Sequence, residues 1–371
     1  MTDEDHLRAA LQTSLLARTS SSPNPWVGCR IVPTTSRANF EGATSPPGGP
    51  HAEIVALRAA GSEAAGSTAY VTLEPCSHQG RTPPCADALI AAGVSRVVIG
   101  VLDPDPLVSG RGVARLRKAG VEVRLGVLEN EIRRVLAPYL KHREQGRPWV
   151  VLKLASSLDG RIAAPDGNSK WITGPEARAD VHHLRAESDA ILIGAGTVRA
   201  DNPRLTVRHI EGRSPRRIVL GAIPAGSAVS PADEMHGSLP DVLDSLGLQG
   251  VVQLLVEGGA HVAHAFHGAG LVDQYTLYFA PALFGGADAL PMFNGPGASS
   301  MSDLWRGHIS AVVRLGQDLR IDVEPRHDEV PLGNLGAPAP EKCWKDPMAA
   351  RPITNEEGSV LLPSEPPAGL R

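Results

Sequence analysis

Apolar positions in this chain switch repeatedly between two spacings. Some recur every three to four residues, as on one face of a helix, and others fall in short β-branched runs, as in buried strands. Residues 3–17 read as an amphipathic helix, and a second helix begins near His51 and runs through 54–60. A strand is expected over 69–73, a helix over 85–92, a strand over 96–102, a helix over 112–119, a strand over 121–127 and a helix over 129–144. The break Gln145-Gly146-Arg147-Pro148 then interrupts the pattern, and a new apolar strand opens over 149–154. A domain boundary is therefore expected near Arg147, dividing residues 1–146 from residues 147–326. The second part continues with helices over 175–186, 239–246 and 260–269 and strands over 190–193, 217–220, 251–256 and 274–279, and it ends in a hairpin around 315–323. Strands alternating with helices predict two layered α/β domains. From His327 the chain is rich in Pro and Gly without periodicity, so 327–371 is expected to be a disordered tail.

Composition narrows the class only slightly. A formal net charge of −4 over 371 residues supplies no basic field for nucleic acid. Four cysteines in this length do not make a disulfide scaffold. Two of them belong to the motif described next, and Cys29 and Cys343 read as a buried thiol and a tail thiol. The first residues, Met1-Thr2-Asp3-Glu4-Asp5-His6, are acidic and lack the apolar segment of a signal peptide. No stretch approaches the roughly 20 apolar residues of a membrane span, so a cytoplasmic protein is expected.

The chemistry is concentrated in His51-Ala52-Glu53, Pro75-Cys76 and Cys85. One imidazole and two thiolates can hold a tetrahedral Zn²⁺ with its fourth position open to water. Glu53, two residues past the histidine, can carry protons instead of binding metal, as in the zinc nucleobase deaminases. Cys85 is expected to open a helix, where the dipole favours a thiolate. A structural zinc site would normally use a fourth protein ligand, and only His78 stands near enough in sequence to be considered.

The spacing of the cysteines is distinctive. Eight residues separate them, Ser77-His78-Gln79-Gly80-Arg81-Thr82-Pro83-Pro84, where many deaminases have two. This loop, with Thr72-Leu73-Glu74-Pro75 before it and Asp87-Ala88-Leu89-Ile90-Ala91-Ala92-Gly93-Val94 after it, closely resembles the bifunctional riboflavin-biosynthesis deaminase/reductase family. So do Pro23-Asn24-Pro25-Trp26-Val27-Gly28, Asp103-Pro104 and Gly110-Arg111-Gly112. The resemblance extends to about Arg326 and takes in Lys153-Leu154-Ala155-Ser156-Ser157-Leu158-Asp159-Gly160, Gly194-Ala195-Gly196-Thr197 and Glu257-Gly258-Gly259.

The resemblance implies a cytidine-deaminase-like α/β/α layered domain followed by a dihydrofolate-reductase-like α/β domain. It implies zinc in the first and NADPH in the second. The substrate would be a diaminopyrimidinone carrying a ribosylamino 5′-phosphate, deaminated first and then reduced at the ribosyl C1′. By the same resemblance Asn24 would contact the base, Asp103 the substrate from the end of a strand, and Arg81 would lie near the phosphate. In the reductase, Ala155, Trp171, Thr197, Asp201 and the turn Gly259, Ala260, His261, Val262, Ala263, His264 and Ala265 would hold the cofactor. Ser169, Arg185, Leu205, Arg208 and Glu257 would hold the substrate. A homo-oligomer is also implied.

Three positions depart from the family pattern. Thr44 stands where a substrate-binding histidine is usual, and Asp105 stands where an asparagine is usual, adding negative charge near a phosphate-bearing ligand. Gly221 replaces an aspartate at the end of the 217–220 strand, and the segment 221–250 looks short by about one strand with its loops. Two other readings therefore stay open: an active deaminase with a degenerate, structural reductase domain, and a nucleic-acid-editing deaminase. The acidic charge and the absence of a basic aromatic stripe argue against the second.

Overall fold

Each half of the chain builds its own open sheet, and the strand ends of these sheets carry the sites. The computed structural model describes residues 1–78, 83–208 and 210–326. Arg81, Cys343 and the expected tail lie outside the described residues.

The first half runs α1 (Asp3–Ser14), β1 (Gly28–Val32), β2 (Phe40–Ala43), α2 (Ala52–Ala60), β3 (Thr68–Leu73), α3 (Cys85–Ala91), β4 (Arg96–Val101), α4 (Arg111–Lys118), β5 (Glu122–Leu125) and α5 (Glu129–Gln145). Its five strands lie in the order β2-β1-β3-β4-β5. β1 is antiparallel to both β2 and β3, whereas β3, β4 and β5 are parallel. Parallel strands need helical crossovers, which is why α3 and α4 return the chain between them. The core joins Ile31, Val71 and Ile99 of the strands to Leu7, Leu116 and Leu136 of α1, α4 and α5.

α1 is tied down at its first turn. Asp3 accepts hydrogen bonds from both terminal nitrogens of Arg96 (2.8 and 2.8 Å), from Arg124 (2.6 Å) and from the Tyr70 hydroxyl (3.0 Å). Arg96 above all holds the Asp3 carboxyl far below its ordinary range, against the opposing effect of burial. A depressed carboxylate pKa stabilises the fold above the unfolded value, near 3.9, and that stabilisation is lost as pH falls through the folded value. Asp3→Asn should therefore cost about 1–2 kcal/mol at neutral pH. In thermal melts the gap from the parent should close as pH drops below about 4; an equal gap at every pH would contradict the assignment.

The second half runs β6 (Trp149–Ser157), β7 (Arg161–Ala163), α6 (Pro175–Glu187), β8 (Ala190–Gly194), α7 (Ala195–Asp201), β9 (Arg216–Leu220), β10 (Asp233–Met235), α8 (Leu239–Leu248), β11 (Gln253–Val256), α9 (Ala260–Gly268), β12 (Gln274–Ala280), β13 (Leu290–Pro291), β14 (Gly307–Leu315) and β15 (Asp318–Pro325). Eight strands follow the order β10-β9-β8-β11-β6-β12-β15-β14, parallel from β10 to β12, with β15 and β14 antiparallel at the end. β7 and β13 form a separate two-stranded ribbon.

Within the segment 221–250, Asp233–Met235 pairs in parallel with Ile218–Leu220 and extends the sheet by one edge strand. Three polar-leaning residues bounded by Pro231 and Gly237 show no alternation, so the strand comes from pairing with β9 and not from its own pattern. The closing hairpin also begins earlier than expected, because β14 starts at Gly307 and turns at Gly316 into β15.

The two halves dock closely. Gly247 on α8 lies so near the Gly146 carbonyl that a Cβ at this position would collide with it. Lys141 pairs with half-buried Asp273 (2.6 Å), which also accepts the Val150 N–H (2.7 Å). Among the described residues no helix is long and apolar enough to cross a membrane.

Candidate active sites

In open α/β sheets ligands bind beyond the carboxyl ends of parallel strands. In the first domain β3 and β4 end side by side, with Cys76 shortly beyond β3 and Asp103 shortly beyond β4. His51 is the extended N-cap of α2, Glu53 lies in the first turn of that helix, and Cys85 is the first residue of α3. Three elements thus deliver one imidazole and two sulfurs to one place.

His51 Nδ1 lies 3.3 Å from Cys85 Sγ and 3.6 Å from Cys76 Sγ, and the three ligand atoms fall within 4.8 Å of one another. Tetrahedral zinc with ordinary Zn–N and Zn–S bonds requires an N···S separation of about 3.5 Å. The donor set and its spacing therefore fit zinc. It is the one such cluster among the described residues, and His78 is not part of it. The Cys76 sulfur also accepts the Cys85 N–H at 3.3 Å. Its hydrogen bond with the Cys85 thiol, opposed by burial and assisted by His51, pulls the Cys76 thiol down to about 4. Glu53 is only 3 % exposed. Burial, with the neighbouring Cys76 thiolate, pushes its carboxyl up to about 7 despite the opposite pull of His51, a range suited to taking and returning a proton.

Around this centre the expected substrate contacts are accounted for in part. Asn24 is half-buried in a turn closed by its N–H to Ser21 O (2.9 Å). Asp103 is buried and accepts the Tyr139 hydroxyl at 3.1 Å on each oxygen and the Asp105 N–H at 2.9 Å. Burial pushes its carboxyl up to about 6. Thr44 spends its hydroxyl on the Val27 N–H (3.1 Å), bracing the end of β2. The added charge of Asp105 faces Arg143, whose Nε lies 3.7 Å from Asp105 Oδ2 and whose guanidinium sits 5.2 Å over the Tyr139 ring. Asp105 is therefore paired with a cation. Tyr139 and Arg143 are missing from the sequence reading because they lie on α5, far along the chain, with only helical spacing to mark them.

In the second domain a cleft of about 1070 Å³ opens over the ends of β6, β8 and β11. Ala155, Ser169, Trp171, Thr197, Asp201 and Leu205 all line it, as do Arg185, Arg208 and Glu257. Of the expected cofactor turn, Gly259, Ala260, His261 and Val262 face the cleft, whereas Ala263, His264 and Ala265 do not. The helical repeat explains the difference in facing: the first turn of α9 points at the cleft, Ala263 rotates into the core, and His264 packs against Gly295. That first turn has no side-chain cap, which leaves its amides for an anionic ligand. Gly259 N–H reaches Thr197 Oγ1 at 3.1 Å, drawing α7 and α9 together. Trp171 is 71 % exposed and carries the Arg178 guanidinium 4.7 Å over its ring, so it is a wall of the cleft and not core. An open glycine-lined cleft with free helix amides fits a dinucleotide.

The floor of this cleft is charged. Arg185 grips Glu257 with two bonds of 2.7 and 2.9 Å, and Lys153 Nζ stands 4.0 Å from the same carboxylate and 5.8 Å over the Tyr278 ring. Burial would raise the Glu257 carboxyl, but Arg185 and Lys153 overcome it and hold it below its ordinary value. Burial draws the Lys153 ammonium down. Lys153 was missed as a site residue, although a lysine inside the run Val150-Val151-Leu152-Lys153-Leu154 was the available signal. Arg208 is held down by burial and by the like charges of Arg185 and Arg204, so three guanidiniums converge where an anion would relieve them.

The two sites define a zinc-dependent deaminase joined in one chain to an NADPH-dependent reductase. Residues 1–101 match the family model of the cytidine and deoxycytidylate deaminase zinc-binding region, and residues 148–319 match that of the RibD C-terminal domain. The chain is 40 % identical to the riboflavin biosynthesis protein RibD of Escherichia coli, over 86 % of this chain and 98 % of that one. It is 37 % identical to the same protein of Bacillus amyloliquefaciens, over 87 % and 96 %. Among solved structures, Acinetobacter baumannii RibD superposes with a TM-score of 0.82 at 39 % identity, over 87 % of this chain and 99 % of that one. A Thermotoga maritima diaminohydroxyphosphoribosylaminopyrimidine deaminase/5-amino-6-(5-phosphoribosylamino)uracil reductase superposes at 0.80 with 34 % identity, over 87 % and 99 %. The chain belongs to the RibD family of riboflavin-biosynthesis proteins.

Proposed function

We propose that this chain deaminates 2,5-diamino-6-ribosylamino-4(3H)-pyrimidinone 5′-phosphate and then reduces the resulting 5-amino-6-(5-phosphoribosylamino)uracil to its ribitylamino product. The observation that carries this reading is the presence, in one chain, of a His51-Cys76-Cys85 cluster beside Glu53 and a cleft floored by Lys153, Glu257 and Arg185. Relatives spanning nearly their whole length support it and leave the nucleic-acid-editing alternative without support.

His51, Cys76 and Cys85 would hold zinc, which when bound makes hydroxide available near neutral pH. Glu53 takes one proton of the attacking water and passes it to the ring nitrogen, then carries the second, from the hydroxyl so formed, to the departing ammonia. Asn24 holds the base, Asp103 contacts the substrate, and Arg81 takes the phosphate. In the second cleft the first turn of α9, with Ala155, Trp171, Thr197 and Asp201, would hold NADPH, the source of hydride when bound. Arg208, Leu205 and Ser169 orient the phosphorylated sugar. In the reduction the bond between C1′ and the sugar-ring oxygen breaks, hydride adds to C1′ and the freed oxygen takes a proton, which the Lys153–Glu257 pair holds. The edge strand β14 exposes Ile309 and Val312, a surface that supports a homo-oligomer. The proposed activity, which draws on a phosphorylated small-molecule substrate and NADPH, supports a cytoplasmic location as part of this reading.

The test is a coupled assay on purified, zinc-loaded protein. Supplied with the diamino substrate and NADPH, it should release ammonia and then consume nicotinamide absorbance, and supplied with the deaminated intermediate it should consume NADPH directly. Intact ammonia release with no NADPH consumption from either compound would instead favour a structural reductase domain.

A further inference from the structure

We infer that Glu74 is a positioning residue of the deamination site, acting through Asp103. Glu74 follows β3, is buried, and is not part of the His51-Cys76-Cys85 cluster. Its carboxylate reaches across to the loop between β4 and α4. Oε2 accepts the N–H of Gly110 at 2.9 Å and of Asp103 at 3.4 Å, and Oε1 accepts the N–H of Val113 at 3.1 Å. One side chain thus holds both ends of the loop that presents Asp103. The strand ends are tied as well, since Glu74 N–H donates to the Val101 carbonyl at 2.9 Å.

The surroundings are shaped for this grip. Gly110 adopts φ +79°, turning its amide toward the carboxylate, and Gly112 sits where a Cβ would run into the Pro75 carbonyl. The carboxylate also meets the amino-terminal turn of α4, where the helix dipole favours negative charge. Hydrogen bonds to a buried ionised acceptor are stronger than neutral ones and lock geometry. Tyr139 fixes the Asp103 carboxylate from the far side, so Glu74 fixes its backbone and Tyr139 its side chain.

This inference rests on reading Asp103 as a substrate contact, and the experiment separates the two. Three zinc-loaded proteins are compared: Glu74→Gln, Asp103→Asn and the double variant. In Glu74→Gln the amide nitrogen faces backbone donors, and kcat/KM for deamination should fall about 10- to 100-fold, chiefly through KM. Zinc per chain should stay at the parental value, and NADPH-dependent reduction of the deaminated intermediate should be unchanged. The double variant should be no worse than Asp103→Asn alone, because the effect of Glu74 passes through Asp103. Additive losses, loss of zinc, or parental deamination in Glu74→Gln would each overturn the inference. An Asp103→Asn chain with parental KM would overturn the reading of Asp103 itself. Should Glu74→Gln fail to yield soluble protein, Glu74→Asp keeps the charge with a shorter reach. A raised KM at parental zinc content would then support the inference, and an unchanged KM would overturn it.

Discussion

Glu53→Gln is expected to lower the deamination rate by about 10³-fold or more while leaving zinc content and NADPH-dependent reduction at parental levels. Gln has nearly the shape of Glu but cannot accept the water proton or return it to the ring. The change falls in the first turn of α2, two residues beyond His51, and its side chain is almost fully buried. Replacing a buried carboxyl held near neutrality by a neutral amide removes no ion pair of the fold, so stability should change little. Ammonia release, metal analysis and the reductase assay on one preparation check all three points. Ammonia release at even a tenth of the parental rate would rule out Glu53 as the proton carrier.

The second large effect is expected at Glu257. This carboxylate lies between Arg185 and Lys153, all three largely buried. Glu257→Gln leaves two cations without their counter-charge, and breaking a buried pair from one side costs about 3–5 kcal/mol. NADPH oxidation should be lost, and the thermal midpoint of the second domain should fall. Glu257 is held below its ordinary pKa, so its stabilising contribution is present above the unfolded carboxylate value and is lost as pH falls through the folded one. The stability difference between parent and variant should therefore be largest at neutral pH and shrink in acid. Deamination measured below the new midpoint should persist, since the zinc cluster belongs to the other sheet. A variant with parental melting at neutral pH would show that Glu257 does not compensate these cations.

Much of this protein was legible along the chain because its signals are local. The alternation of helical and strand spacing located nearly every long element, and the break at residues 145–148 falls where α5 ends and β6 begins. His51, Glu53, Cys76 and Cys85 were legible because zinc chemistry demands particular side chains and the motif holds them at short spacings. What escaped was short or non-local. β10 has no pattern of its own and exists because β9 offers it an edge. The reach of α9 into the cleft is set by where the helix begins relative to β11, so a motif covering residues 259–265 could not show that it stops at Val262.

The partners of two residues that depart from the family pattern likewise came only from three dimensions. Asp105 read as an added negative charge, and only the packing of α5 against the β4 loop brings Arg143 to it. Thr44 read as a lost histidine, and only the register of β2 against β1 shows its hydroxyl bracing Val27. By itself the sequence determined the class of chemistry and the candidate metal donors His51, Cys76 and Cys85, because residue type and short spacing carry those properties. Tertiary structure alone decided which charges meet: Glu74 with the Asp103 loop, Tyr139 with Asp103, and Lys153 with Glu257 and Arg185. These partners lie tens of residues apart, and nothing but the parallel strands that end together brings them within hydrogen-bonding or ion-pairing distance.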